Sequence, residues 1–192
     1  MLNPFARRSN PHTLVVGMTG VKMGDRFVQI GCPHGGRFGA LAGQVGLSGD
    51  AVAIVPDAAS AARAEKGAAQ AGALVDVRIA PPAKLGVGDG VFDVAVVDDT
   101  GAAGGLMGIM GLDDRGAALR ELRRVLRPGG RVVLIGSTPP AGLSALLGRA
   151  TPASSFAVSG DALGALTAGG FKSARTLAAR EGLVFVEGIK PR

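Results

Sequence analysis

The 192-residue chain has no tryptophan, no tyrosine and a single cysteine, and its aromatic content is seven phenylalanines. Without indole or phenol rings there is no stacking platform for bases, so a net charge of +6 does not by itself argue for nucleic acid. Most arginines stand singly or share a helical face, as Arg120, Arg123, Arg124 and Arg127 do, where solvated charge is the simpler account. The lone Cys32 excludes an internal disulfide and a cysteine-based zinc cluster, so the fold must stand on its core, and no metal is expected. Long hydrophobic runs are missing too: none reaches transmembrane length without glycine, proline or charge, and Arg7-Arg8 is followed by no apolar stretch of signal-peptide length. The expectation is a cytoplasmic protein with no membrane span, a single domain over 1–192 whose residues 1–10 form a flexible N-terminus.

What the chain has in abundance is alternation of strand and helix signals. An apolar run (Leu14, Val15, Val16, Met18) between Pro11 and Val21 precedes the turn Met23-Gly24-Asp25. Strands are then predicted at Arg26–Ile30, Ala51–Val55, Val75–Ile79, Phe92–Val97 and Val132–Ile135. Between them, one helix presents Phe38, Leu41 and Ala42 and ends near Gly46 to Gly49, and a second spans Ala58–Ala71 with Arg63, Glu65 and Lys66 outward. A third, with Leu119, Leu122 and Val125/Leu126 at helical spacing, starts on a cap by Asp113 or Asp114 and stops on Pro128-Gly129-Gly130. The remainder reads as a short helix at Gly142–Gly148, a loop at Thr151–Ala157 and a helix capped by Ser159 that ends at Gly169-Gly170. A hairpin of Phe171–Ala178 and Leu183–Gly188 across Arg180-Glu181-Gly182 closes the chain. Five βα units predict a parallel sheet with helices on both faces: an α/β, Rossmann-like three-layer αβα fold of seven strands, mostly parallel, with an antiparallel C-terminal hairpin.

In such sheets ligands sit outside the carboxyl ends of the strands, at the switch in strand order. The first loop there is Gly31-Cys32-Pro33-His34-Gly35-Gly36, where His34 and, one turn on, Arg37 offer a place for an anion or simply face solvent. Cys32 reads as a small packed residue, since no second thiol or fixed base accompanies it. Asp98-Asp99 follow the fourth strand; one of them is either a general base or a cap for a following turn. The segment Gly101–Leu112 is glycine-interrupted, and its Met107 and Met110 suit either a greasy ligand or a lid packed on the core.

The string Glu121–Val133, a helix running through Pro128-Gly129-Gly130 into an apolar strand, closely resembles the same junction in class I S-adenosylmethionine (SAM) dependent methyltransferases. The nearest branch methylates quinones and similar small molecules, and the resemblance spans residues 11 to 190. It implies SAM as cofactor, with Gly31 and Gly35 on two of the three positions of the family's glycine loop and Pro33, which lacks an N–H, on the middle one. It also implies three acids: one for the methionine ammonium, where Gln29 stands; one for the ribose, where Val55 stands two residues before Asp57; and one for adenine, where Ala80 or Pro81 stands. Cys32, His34, Pro56 and Asp98 complete the implied pocket, with Asp98, Asp99 and His34 as candidates facing the methyl acceptor. A valine accepts no hydrogen bond.

Two functions follow. One is methyl transfer to a small acceptor, compatible with a lipophilic one; the other is a degenerate, non-catalytic homologue, a pseudoenzyme with weak or no SAM binding that serves as a binding or partner subunit. An anionic ligand at His34 and Arg37 is a third. A nicotinamide dehydrogenase is disfavoured by the lack of G-x-G-x-x-G, and a nucleoside triphosphatase by the lack of G-K-[ST] after Gly35-Gly36-Arg37.

Overall fold

The computed structural model describes residues 11–101, 105–108, 110–138 and 156–192. Residues 1–10, the expected helix at Gly142–Gly148 and most of the Thr151–Ala157 loop lie outside them. The elements in chain order are α1 (Thr13–Thr19), β1 (Arg26–Ile30), α2 (Gly35–Val45), β2 (Asp50–Val55), α3 (Ala58–Ala71), β3 (Asp76–Ile79) and β4 (Phe92–Asp99). They continue with α4 (Gly105–Gly108), α5 (Leu112–Val125), β5 (Leu126–Ser137), α6 (Asp161–Ala168), β6 (Lys172–Arg180) and β7 (Leu183–Ile189).

The seven strands form one sheet in the order β3-β2-β1-β4-β5-β7-β6. Pairs from β3 through β5 are parallel, and only β7 runs against the rest. Period-two alternation sends Val28, Ile30, Ile54, Val97 and Leu134 to the face under α5 and α6. Phe27, Val55, Val96 and Phe185 point to the other face, where they meet Phe38 and Leu41 of α2 and Ala64 and Ala68 of α3. Both faces are therefore closed by apolar packing. The final hairpin turns on Glu181 (φ 54°) and Gly182 (φ 73°), a pair of left-handed residues that matches the twist of its strands.

Four details depart from the sequence reading. The Pro11–Val21 run folds as α1, closed by a left-handed Gly20 whose N–H returns to Val16 O. Leu126 leaves the helix and starts β5, so Pro128-Gly129-Gly130 lies inside a bulge: Phe92 pairs with Leu126, then Val94 with Arg131. Asp113 and Asp114 sit in the first turn of α5 without capping it, the cap position being Gly111. Ser159 stands one residue ahead of the α6 cap, Gly160. Lastly, no helix joins β3 to β4: Pro81-Pro82 and the glycines at 86, 88 and 90 deny residues 80–91 a helical run. The third βα unit thus lacks its helix, and Ile79 is left 59% exposed.

Among the described residues, no helix is long and apolar enough to cross a membrane. The helices α2 and α3 touch through backbone: a Cβ on Gly35 would run into Arg63 O, and one on Gly67 into Gly35 O. Replacing Gly67 by Ala should therefore cost about 1–3 kcal/mol by overpacking, whereas Gly17→Ala, at an exposed mid-helix site with nothing within 4 Å, should gain about 0.5–1 kcal/mol. Chemical denaturation of the two variants checks both signs; a neutral Gly67→Ala would show that the helices slide apart at no cost.

Candidate functional site

The strand order reverses at β1, which lies between β2 and β4. Gly31 leaves β1 in the left-handed region (φ 77°), and its N–H donates to Ile54 O at 2.9 Å. A Cβ there would stand 3.1 Å from Asp98 O, so glycine is needed for both conformation and clearance. The chain then passes Cys32-Pro33-His34 and enters α2. Below it, Asp57 caps α3 by accepting from Ser60 N at 2.7 Å.

Gly31, Cys32, Pro33, Pro56, Asp57 and Asp98 come together around one cavity of about 390 Å³ at this edge. Ser60, Arg63 and Leu106 complete its wall. Sequence reading missed them because Arg63 looked like an outward helix charge; its place three residues after Ser60 and six after the Asp57 cap was the available signal. Arg63 Nε donates to Cys32 O at 3.2 Å and Nη2 to Ser60 Oγ at 2.7 Å, so the guanidinium ties α3 to the loop after β1. Gln29, His34, Gly35, Val55, Ala80 and Pro81 do not line this cavity.

Neighbouring acids at the end of β4 go opposite ways. Asp98 turns to the α2 side, where Arg37 Nη1 meets it at 3.2 Å and Thr100 Oγ1 donates to it at 2.6 Å. Arg37 is thereby committed to an internal pair, which corrects the reading of Arg37 as a free anion anchor beside His34. Asp99 turns to the other face, where its two oxygens accept from Met107 N at 2.6 Å and Phe156 N at 3.0 Å. Burial pushes the Asp99 carboxyl up to about 6 against those hydrogen bonds, with Asp98 adding to the rise. Asp99 is a fastener for α4 and residue 156, and it does not face the cavity. Met107 is buried in the core and Met110 packs against it, so the core alternative holds for both; residues 102–104 and 109 lie outside the described ones.

Cys32 is buried, and its thiol is pushed up to about 11 by that burial and by Asp98, with Arg63 opposing. It is a packed thiol and no nucleophile. His34 is lowered by partial burial and then by Arg37, with Asp98 opposing.

The residues at the implied acid positions serve the fold. Val55 is 0% exposed and belongs to the core under α2 and α3. The Asp57 carboxylate is taken by its own helix, which also lowers it below the ordinary carboxylate range. Ala80 packs against the core and Pro81 is exposed. Gln29 Nε2 donates to Gly31 O at 2.9 Å, while its buried Oε1 has no hydrogen-bond partner among the described residues. The orphaned amide oxygen of Gln29 lies outside the cavity wall, whereas Asp57 lines it with Oδ1 accepting from Ser60 N, and no carboxylate stands at Val55, Ala80 or Pro81. Val55 and Ala80 or Pro81 thus put no side-chain acceptor at the ribose and adenine positions that the resemblance implies. Among the described residues, no group of His, Cys, Asp and Glu is placed to hold a metal ion.

Comparison with known proteins agrees with the architecture. A family model described as a methyltransferase domain matches residues 28–134. A SAM-dependent methyltransferase from Aquifex aeolicus superposes with a TM-score of 0.72 at 18% identity, covering 94% of this chain and 89% of that one. The (4+2)-cyclase SpnF superposes with a TM-score of 0.65 at 18% identity, over 94% and 79%. An arsenic(III) SAM methyltransferase from Chlamydomonas reinhardtii gives 0.63 at 17%, over 91% and 65%. No curated protein matches the sequence.

The raised Asp99 has a testable sign. Between an unfolded aspartate near 4 and a folded value of about 6, the folded state holds the proton more tightly, so this group's contribution to stability falls as pH rises through that window, by about 3 kcal/mol. Relative to Asp99→Asn, the wild-type protein should lose that margin between pH 4 and pH 7 in denaturation experiments. A carboxyl carbon titrating at or below 4 by NMR would show the opposite balance.

Proposed function

We propose a function on the premise that this chain belongs to the class I SAM-dependent methyltransferase family, as the match over residues 28–134 and the fold establish. It is a methyltransferase-like protein that has kept the sheet and the first loop and has exchanged the cofactor acids for residues of the core. Its role is that of a degenerate, non-catalytic member: the cavity at the carboxyl edge binds a small molecule or a partner segment, and SAM is held weakly or not at all. The observation that carries this reading is Val55, sealed in the core where the resemblance implies an acid, with Asp57 two residues on engaging Oδ1 as the cap of α3.

The magnitudes favour it. A hydrogen bond to a charged acceptor contributes about 1.5–3 kcal/mol. A micromolar ligand that loses about 4 kcal/mol becomes a millimolar one, so two such losses suffice. The second reading, methyl transfer to a small acceptor, is supported by the buried Gln29 Oε1, unpartnered among the described residues, at the position where the resemblance implies an acceptor for the methionine ammonium.

Calorimetric titration with SAM and with its demethylated product separates the two readings. The degenerate member should show a Kd weaker than about 1 mM for both, with no methyl transfer. Micromolar affinity for either would restore the enzyme reading and assign Gln29 to the cofactor. Pro33→Gly, which returns an N–H to the loop, should strengthen binding only if the rest of the pocket is competent.

A further inference from the structure

The groove between α5 and α6 lies apart from the cavity just described and carries chemistry of its own. Gly116 of α5 and Ala165, Ala168 and Gly169 at the end of α6 put no large side chain between the helices, and a cavity of about 660 Å³ remains. That is the size of a small-molecule site. Leu119 and Phe156 are buried beneath it, and Leu112 stands at its rim, 82% exposed.

Over this apolar floor lie two guanidiniums. Arg120 folds back across Gly116, its Nη1 3.4 Å from where a Cβ would be, and Arg123 lies over Gly170, its Cζ 3.0 Å from the Cβ position there. Three residues apart on one helix, they are neighbours. The third arginine of the groove, Arg115, is already engaged: it donates to Met107 O and Met110 O and lies 4.4 Å from the Phe156 ring centroid. Arg120 and Arg123 make no hydrogen bond or ion pair among the described residues. All 15 Asp and Glu of the chain are among those residues, so the segments outside them, 139–155 included, hold no carboxylate to neutralise the pair. The groove's one acid, Asp161, is paired with neither arginine and sits in the first turn of α6, where the helix dipole stabilises it.

Adjacent cations without an anion, above an apolar trough, complement a molecule with the reverse arrangement. We infer that this groove binds a monomeric fatty-acid-like amphiphile, its carboxylate on Arg120 and Arg123 and its aliphatic tail over Leu119, Phe156 and Leu112. The inference does not depend on whether SAM binds at the other site.

Calorimetry with decanoate, kept below its micelle concentration, tests it on the full chain. Expected are saturable one-to-one binding of decanoate and at least tenfold weaker binding of acetate, which lacks the tail, and of decyl maltoside, which lacks the charge. The double variant Arg120→Gln/Arg123→Gln should weaken decanoate at least tenfold at an unchanged melting temperature, since neither side chain has a partner to lose among the described residues. Leu112→Ser should weaken decanoate and leave acetate unaffected. Equal decanoate affinity in the double variant, or equal affinity for decyl maltoside, would overturn the site. So would binding to phosphatidylglycerol vesicles with none to monomeric decanoate, which would point to a membrane surface.

Discussion

Backbone contact between α2 and α3 governs the shape of the carboxyl edge. Because Gly35 and Gly67 bring the two helices to backbone distance, the start of α2 lies directly over the first turns of α3. Arg63 can then reach Cys32 O and Ser60 Oγ, and the loop after β1 is tied to α3 by a side chain. A bulkier residue at either glycine would open that edge and remove the cavity wall. The cavity is therefore a product of helix packing, and its lining residues follow from which side chains the packing leaves at the seam.

A second constraint is the two-residue period of β4. Asp98 and Asp99 are adjacent and equally buried, yet one faces α2 and the other faces α4 and Phe156. Asp98 finds a guanidinium and a hydroxyl; Asp99 finds only backbone N–H groups, and those do not repay its desolvation. The same residue type thus gives an internal ion pair on one face and an acid lifted to about 6 on the other. Chemistry at the end of this strand is decided by face.

Most of the architecture was legible because it rests on signals that local sequence carries. The α3 limits, the β1 limits and the hairpin turn follow from periodicity, an Asp cap and a Glu-Gly pair tolerant of positive φ. The bulge at Pro128-Gly129-Gly130 was not legible, since helix stop and strand bulge use the same residues and only pairing with β4 distinguishes them. Half of the candidate site was readable from loop position alone, namely Gly31, Cys32, Pro33, Pro56, Asp57 and Asp98. Arg37 and Arg63 were not, because a long side chain on a helix face has two destinations and the choice depends on what the packed neighbour exposes. Arg120 and Arg123 were legible as residues, but that they form no ion pair among the described residues is a property of three dimensions.

The residues at and beside the positions where the resemblance implies acids each serve the fold. A carboxylate at Val55 would sit at a fully buried strand end and would have to be stabilised by a ligand or by desolvation-resisting donors. Asp57, two residues later, caps a helix whether or not anything is bound. Pro81-Pro82 ends β3 and denies a helix to the connection that follows. A site built for a cofactor carries a stability cost that is offset when the cofactor binds. Gln29 differs, for its amide anchors Gly31 O while its oxygen remains buried without a donor among the described residues. A buried acceptor without a partner costs stability, and this one lies at the strand-order switch, beside the loop after β1.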